Sequence, residues 1–276
     1  MAGNHAAAPA ADHGAADAMG RGVLHARHAA TRFRWARYDP APALQPFVDY
    51  YWIVRWDLRG RPPHEQKVLP HPNVHLAFEE TCAEVHGVDR KLFARRIEGR
   101  GKALGVRFWP GGFHPFWKAP VSQLNDCVVP ASQLFGPAAE RAREAIMGAS
   151  GDAEMVAHAE RMLRAMAPER DPVAEQVAAM VARIVSDPAL RRTDQLAAAL
   201  GMPARRLQRL FAEYVGVGPK WVMRRTRMHD AAERADRGDH VDWAALAADL
   251  GYADQAHLTR DFTATIGVPP ARYASG

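Results

Sequence analysis

Arg205, Gln208 and Arg209 stand three and four residues apart, so in a helix, at about 100° per residue, they share one face. These side chains suit base edges: a guanidinium pairs bidentately with guanine and a carboxamide with adenine. Leu207, Leu210, Phe211 and Tyr214 fall on the opposite face, the buried stripe of an amphipathic helix. From Pro203 to Arg227 there are seven basic residues (205, 206, 209, 220, 224, 225 and 227) against one acid, Glu213, a net charge of +6. A charge run alone is as readily a solvated face. Its position on and just after this helix favours contact with phosphates, with Arg206, Arg224, Arg225 and Arg227 as the candidate donors.

A helix that presents side chains to a groove needs a second helix to hold it. Leu196-Ala197-x-x-Leu200-Gly201 supplies a short apolar helix that ends at a glycine turn, with Ala197 small enough for a close crossing. The arrangement returns as Leu246-Ala247-x-x-Leu250-Gly251, 50 residues on. At an offset of 51, Leu207, Arg209, Phe211, Gly216, Val217 and Pro219 find Leu258, Arg260, Phe262, Gly267, Val268 and Pro270. A repeat marks one structural unit per copy, and each copy reads as a helix-turn-helix, about 193–215 and about 243–266. In the second copy Leu258, Phe262 and Ile266 form the buried stripe, and the binding candidates are Gln255, Ala256, His257, Thr259 and Arg260. Asp254 is the expected N-cap, and the backbone N–H groups beside it are expected phosphate donors. Between the copies, residues 219–237 read as one long helix with Pro219 in its first turn.

The duplicated unit resembles the AraC/XylS family of bacterial transcription regulators. The resemblance rests on Ala244-Ala245-Leu246-Ala247-x-x-Leu250-Gly251-Tyr252-Ala253-Asp254-Gln255-Ala256-His257-Leu258-Thr259-Arg260-x-Phe262, then Gly267-Val268-Pro269-Pro270-Ala271-Arg272-Tyr273. It covers about the last 100 residues. The sequence departs from the family at His257, where an aromatic is common, and at Leu258, where Phe is common. The resemblance implies promoter DNA as a partner, RNA polymerase as a further one if the protein activates, a small-molecule effector, and a homodimer.

At 276 residues the chain is long enough for about two domains. Its net charge of +5 is modestly basic. The second unit is acidic: from Asp239 to Asp261 five acids (239, 242, 249, 254 and 261) stand against Arg260. The first unit is therefore expected to anchor and the second to tune. Two cysteines, Cys82 and Cys127, without C-x-x-C, fit a reduced cytoplasm. No apolar run approaches the roughly 18 residues of a membrane span, and Asp12, His13 and Asp17 interrupt any signal-like segment. Residues 1–32, rich in Ala, Gly and His, read as a disordered tail.

Composition changes at Phe33. Five of the seven tryptophans lie between Trp35 and Trp117. Val48, Tyr50, Trp52, Val54, Trp56 and Leu58 alternate with Asp49, Tyr51, Ile53, Arg55 and Asp57, a period-two strand signal. Residues 73–78 and 104–108 repeat it, the latter before the Pro110-Gly111-Gly112 turn. An antiparallel sheet or barrel is expected. Leu69-Pro70-His71-Pro72, Gly105-Val106-Arg107-Phe108-x-Pro110-Gly111-Gly112 and the stretch from Pro120-Val121 to Val129-Pro130 resemble the cupin-like sensor half of one AraC-type subgroup. Two helices, about 137–148 and 153–166, follow. The resemblance makes them dimerising helices, with Ile146, Met155, Met162 and Leu163 as apolar contacts. Residues 167–172 read as the linker, with Asp171 as N-cap and Pro172 at the first helical position. The expectation is an α+β chain: an antiparallel β, cupin-like sensor domain with C-terminal helices over 33–166, and an all-α double helix-turn-helix domain over 173–276.

His71, His75 and Glu79 invite a metal reading. Four strand residues span roughly 13 Å, too far for two imidazoles to meet one ion about 2 Å from each, so no metal or other cofactor is expected. Trp109, Phe113, Phe116 and Trp117 flank a Gly-Gly turn and line an effector pocket or fill a small core. There is no phosphate-binding glycine loop, nucleophile elbow or H-E-x-x-H, so no enzyme is expected. The alternative is a cupin-type enzyme or metal-binding protein fused to a DNA-binding module.

Overall fold

The computed structural model describes residues 20–166, 168–237 and 241–275. Among these residues a short helix α1 (Ala26–Ala29) precedes eight strands: β1 (Phe33–Tyr38), β2 (Val48–Asp57), β3 (His64–Val68), β4 (His75–Phe78), β5 (Ala83–His86), β6 (Phe93–Ile97), β7 (Arg100–Phe108) and β8 (Val128–Pro130). Six of them form one antiparallel sheet in the order β1-β2-β7-β4-β5-β8, and β3 pairs with β6 in a second.

The β2 alternation is real, but neither of its faces is left to solvent. Tyr51 and Ile53 pack with Leu76, Leu104 and Val106 into the main core. Tyr50, Trp52, Val54 and Trp56 line a cavity on the other face, closed over by β3 and β6. A bulge between Val48 and Tyr50 shifts the register against β7, and it carries Val48 onto the Tyr51 side.

Beyond the sheet come α2 (His114–Trp117), a single 3₁₀ turn at Val121–Leu124, α3 (Ser132–Phe135), and the pair α4 (Pro137–Gly148) and α5 (Asp152–Met166). Arg55 on β2 donates from Nε to Asp152 Oδ1 at the start of α5, 2.9 Å away. Ile146, Met155, Met162 and Leu163, expected to drive self-association, are at most 6% exposed and pack against the chain's own sheet. A second copy would meet the outer, polar faces of these helices.

The C-terminal half comprises α6 (Pro172–Ser186), α7 (Thr193–Ala199), α8 (Ala204–Tyr214), α9 (Pro219–Asp236), α10 (Trp243–Asp249), α11 (Gln255–Ile266) and α12 (Pro270–Ala274). Asp171 caps α6 by accepting from the N–H groups of Val173 and Ala174, with Pro172 in the first turn. The repeated glycines mark the repeated turns. Gly201 and Gly251 have φ of +61° and +72°, and Gly216 and Gly267 have +91° and +93°, values that favour glycine because it has no Cβ. The long helix α9 serves both units. Val222 and Met223 belong to the first unit's core, with Leu196, Leu207 and Phe211. Met228, Ala231, Ala232 and Ala235 belong to the second, with Leu246, Leu258 and Phe262.

Part of the stretch expected to be disordered is ordered. Residues 1–19 lie outside the described residues. From Gly20 onward the chain packs: Val23 bridges to Val68, and Leu24, 4% exposed, enters the core around α9 with Leu69. Among the described residues no helix is long and apolar enough to cross a membrane.

Candidate nucleic-acid interface and internal cavity

On α8, Leu207 and Phe211 are fully buried while Arg205, Arg206, Gln208 and Arg209 are exposed. Among the described residues, none of these four side chains has a hydrogen-bond or ion-pair partner, so all four are free to meet a ligand. The helix is short and strongly amphipathic, held by Leu196 and Ala197 of α7 beneath it. On α11, Leu258 and Phe262 are buried, Gln255, Ala256, His257 and Arg260 are exposed, and Thr259 is half-buried. Asp254 caps α11 by accepting from the His257 N–H at 2.7 Å. The His257 ring packs edge-on against Tyr252, with centroids 5.0 Å apart.

The later basic residues do not all face outward. Arg224 donates to Asp261 through Nε at 3.0 Å and Nη2 at 2.7 Å. Arg227 lies over the Tyr252 ring, 4.9 Å from its centroid. Arg225 corrects the expectation of a phosphate contact: it is 5% exposed, donates from Nη2 to the Arg90 carbonyl at 2.8 Å, and stacks on Trp221 at 4.6 Å. Burial, with Arg224 nearby, pulls its guanidinium down to about 10. The acids of the second unit are likewise engaged. Asp261 holds Arg224 and accepts from the Tyr252 hydroxyl at 3.0 Å, and Asp249 holds Arg234 at 3.0 Å. Much of the acidic balance therefore fastens α10 and α11 to α9.

The expected effector-pocket aromatics are elsewhere than the pocket. Phe113 and Phe116 are 1% and 3% exposed in the main core. Trp117 packs against that core, and Trp109 is on the surface, donating from Nε1 to the Gln45 carbonyl at 3.1 Å. The cavity lies between the two sheets and measures about 250 Å³. Aromatic walls from Phe33, Trp35, Tyr50, Trp52, Trp56 and Phe93 surround it, and His71, His75 and Arg107 stand at one end. The alternation of β2 marked the lining strand, but β3 and β6 carry too many charges to announce the lid.

His71 and His75 are half-buried and serve different contacts. His75 Nδ1 accepts from Trp52 Nε1 at 3.2 Å, and burial, aided by Arg107, lowers its pKa to about 3. His71 stacks on His229 of α9, with centroids 4.0 Å apart and 12° between the planes. The His71 Nε2 meets the Arg21 carbonyl at 2.6 Å. Burial, then their mutual repulsion with nearby arginines, holds His71 well below the usual imidazole range, and burial with Arg21 and Arg225 does the same to His229. Arg21 pairs with Asp230 and, at 2.6 Å, with Glu233, both on α9. The polar end of the cavity thus abuts the helix shared by both helix-turn-helix units. A second joint lies near α8, where His114 Nε2 meets Glu213 at 3.0 Å and Asn125 donates to the Gly216 carbonyl at 2.7 Å. Among the described residues no three His, Cys, Asp or Glu side chains are grouped to hold a metal.

Residues 196–276 match a family described as a helix-turn-helix domain, and residues 36–130 match a domain family of unknown function. No curated protein matches the chain in sequence. Among solved structures, ToxT from Vibrio cholerae is similar at 10% identity, covering 89% of this chain and 98% of its own, with a TM-score of 0.37. A second crystal form of ToxT gives 10% identity, coverage of 88% and 98%, and 0.39. ToxT bound to an unsaturated fatty acid gives 10%, coverage of 88% and 91%, and 0.37.

Proposed function

We propose that this chain, whose C-terminal segment 196–276 is an AraC-type helix-turn-helix domain, is a sequence-specific DNA-binding regulator of transcription governed by a small molecule in its β domain. One observation carries the reading. Two helix-turn-helix units are built around a single helix, α9, which contributes to both cores, so α8 and α11 are held at a fixed separation with their outer faces bare. Two such helices suit adjacent major-groove segments about 34 Å apart, one turn of duplex. Arg205, Gln208 and Arg209 read base edges in the first segment, and Arg206 meets phosphate. Gln255, Ala256, His257, Thr259 and Arg260 face the second, with the α11 N-terminus as a backbone phosphate donor.

The internal cavity supports the effector half of the proposal, because its polar end touches α9 through His71 and His229. A ligand that shifts His71 alters a contact on the helix that spaces the two reading heads. This reading places the protein in the cytoplasm with promoter DNA, and with RNA polymerase where it activates. The test is a footprint of the full chain on its mapped genomic sites. Protection of two segments on one face of the duplex is expected, and Arg205→Ala with Arg209→Ala should abolish it. Protection of less than one turn, or a footprint indifferent to the double substitution, would reject the proposal.

A further inference from the structure

The cavity also shows what kind of molecule fits it, an inference that rests on the effector reading above. Its floor is ordered in rows across the large sheet. Tyr50, Arg107, His75 and His86 are successive cross-strand neighbours on β2, β7, β4 and β5, and all line or edge the cavity. Two residues along, Trp52 sits opposite Gly105, and at the far end Trp56 sits opposite Gly101. A Cβ at Gly105 would drive into the Trp52 indole, and one at Gly101 into that of Trp56. Each indole therefore lies flat on its glycine and turns its other face to the cavity. Their N–H groups are already engaged, Trp52 with His75 and Trp56 with the Glu98 carbonyl at 3.0 Å. What these two tryptophans offer is ring surface.

The polar row offers donors. Because His75 Nδ1 accepts from Trp52, the proton of the neutral ring is on Nε2, an N–H with no partner among the described residues. Arg107 donates to the Tyr50 hydroxyl at 2.9 Å and to Asn73 Oδ1 at 3.0 Å, and retains further N–H groups. Its charge is balanced by Asp49, 3.3 Å from Nε. The other arginines at the cavity are paired too, Arg21 with Asp230 and Glu233, and Arg95 with Glu79. The row favours a neutral acceptor over a second anion. Size narrows the choice: a cavity of about 150 Å³ holds benzene, so 250 Å³ suits one substituted ring or a fused pair.

We infer that the cavity takes a flat, largely apolar one- or two-ring compound carrying a neutral carbonyl, its rings on the Trp52–Trp56 floor and its oxygen at the His75–Arg107 row. A ligand so placed points its polar end at the His71–His229 contact.

The test is calorimetric titration of the purified full chain with four probes: coumarin, coumarin-3-carboxylate, cyclohexanone and glucose. Coumarin, a fused two-ring lactone, is expected to bind at least about tenfold more tightly than each of the others, a difference of about 1.4 kcal/mol. Trp52→Leu and His75→Gln should each weaken coumarin by about tenfold or more, with melting temperature reported for both so that misfolding is seen. The inference is overturned if glucose or cyclohexanone matches coumarin, if coumarin-3-carboxylate is preferred, if folded variants bind coumarin unchanged, or if coumarin gives no heat at millimolar concentration. Gel retardation of the same samples on promoter DNA, without any probe, separates the two proposals. Loss of DNA binding there counts against the regulator reading, whereas intact DNA binding with no coumarin response counts against the ligand class alone.

Discussion

Arg209 and Arg225 are both arginines of the first unit's basic run, and the fold gives them opposite fates. Arg209 is exposed and unpartnered among the described residues, whereas Arg225 is buried under Arg90 and Trp221. Arg209→Ala is expected to cost about 1–3 kcal/mol in specific DNA binding and to relax one base position, read by competition with single-base variants of the site. Arg206→Ala should weaken all sequences alike and reduce the salt slope by about 1. Arg225→Ala should leave that slope unchanged and instead lower the free energy of unfolding by about 1–3 kcal/mol, the scale of a lost buried hydrogen bond. A slope change in Arg225→Ala matching that of Arg206→Ala would return Arg225 to the phosphate surface. The α8 side chains were legible in the sequence because helical periodicity alone decides which of them face out. The Arg224–Asp261 pair was not, because its partners are 37 residues apart and meet only when α11 folds onto α9.

Elements with their own punctuation were legible before packing was known. Asp171 and Asp254 cap where a short polar side chain precedes an amphipathic run, and the duplicated glycines stand where the backbone turns left-handed. Asp254→Ala is expected to destabilise the protein by about 1 kcal/mol and to weaken contacts in the second DNA segment more than in the first, which half-site footprinting would resolve. Gly201→Ala tests the backbone alone, since nothing crowds the position within 4 Å. It should cost about 1–2 kcal/mol in denaturant unfolding, the strain of a left-handed alanine, and a neutral result would mean that the turn relaxes. Among the elements that escaped the sequence are β3, His-Glu-Gln-Lys-Val, and β6, Phe-Ala-Arg-Arg-Ile. Each belongs to a two-stranded sheet with one wet face and few apolar side chains on the other, so period-two hydrophobicity hardly registers. Without them the cavity had no lid, and its aromatic floor read only as one side of an alternating strand.

At the scale of the whole molecule, the β domain meets α9 through His71 and His229, and this joint is expected to be sensitive to acid. His71 stacks on the buried His229, and the pair is faced by Arg21, Arg107 and Arg225, with Asp230 and Glu233 bound to Arg21. Both imidazoles are held below their ordinary range, so the unfolded chain binds protons that the folded one refuses. Stability from this pair is full above the ordinary histidine value near about 6.5 and is lost as pH falls below it. Melting temperature should therefore decline between about pH 6.5 and about pH 5, and His229→Gln should flatten the decline; a wild-type profile already flat there would rule out the pair as its source. This joint was invisible in the sequence. Val23 and Leu24 are an isolated apolar pair in a small-residue stretch, and the partners of Leu24 on α9 are more than 200 positions away. The same shared packing limits how such a protein can be rebuilt. Leu24 and Leu69 complete the second unit's core, and Val88 completes the first. A chimera that joined residues 172–276 to a foreign sensing domain would leave three holes in the reading heads. On the proposed function these halves are not interchangeable cassettes, and a new ligand specificity would have to be carved inside the existing β domain rather than imported with another.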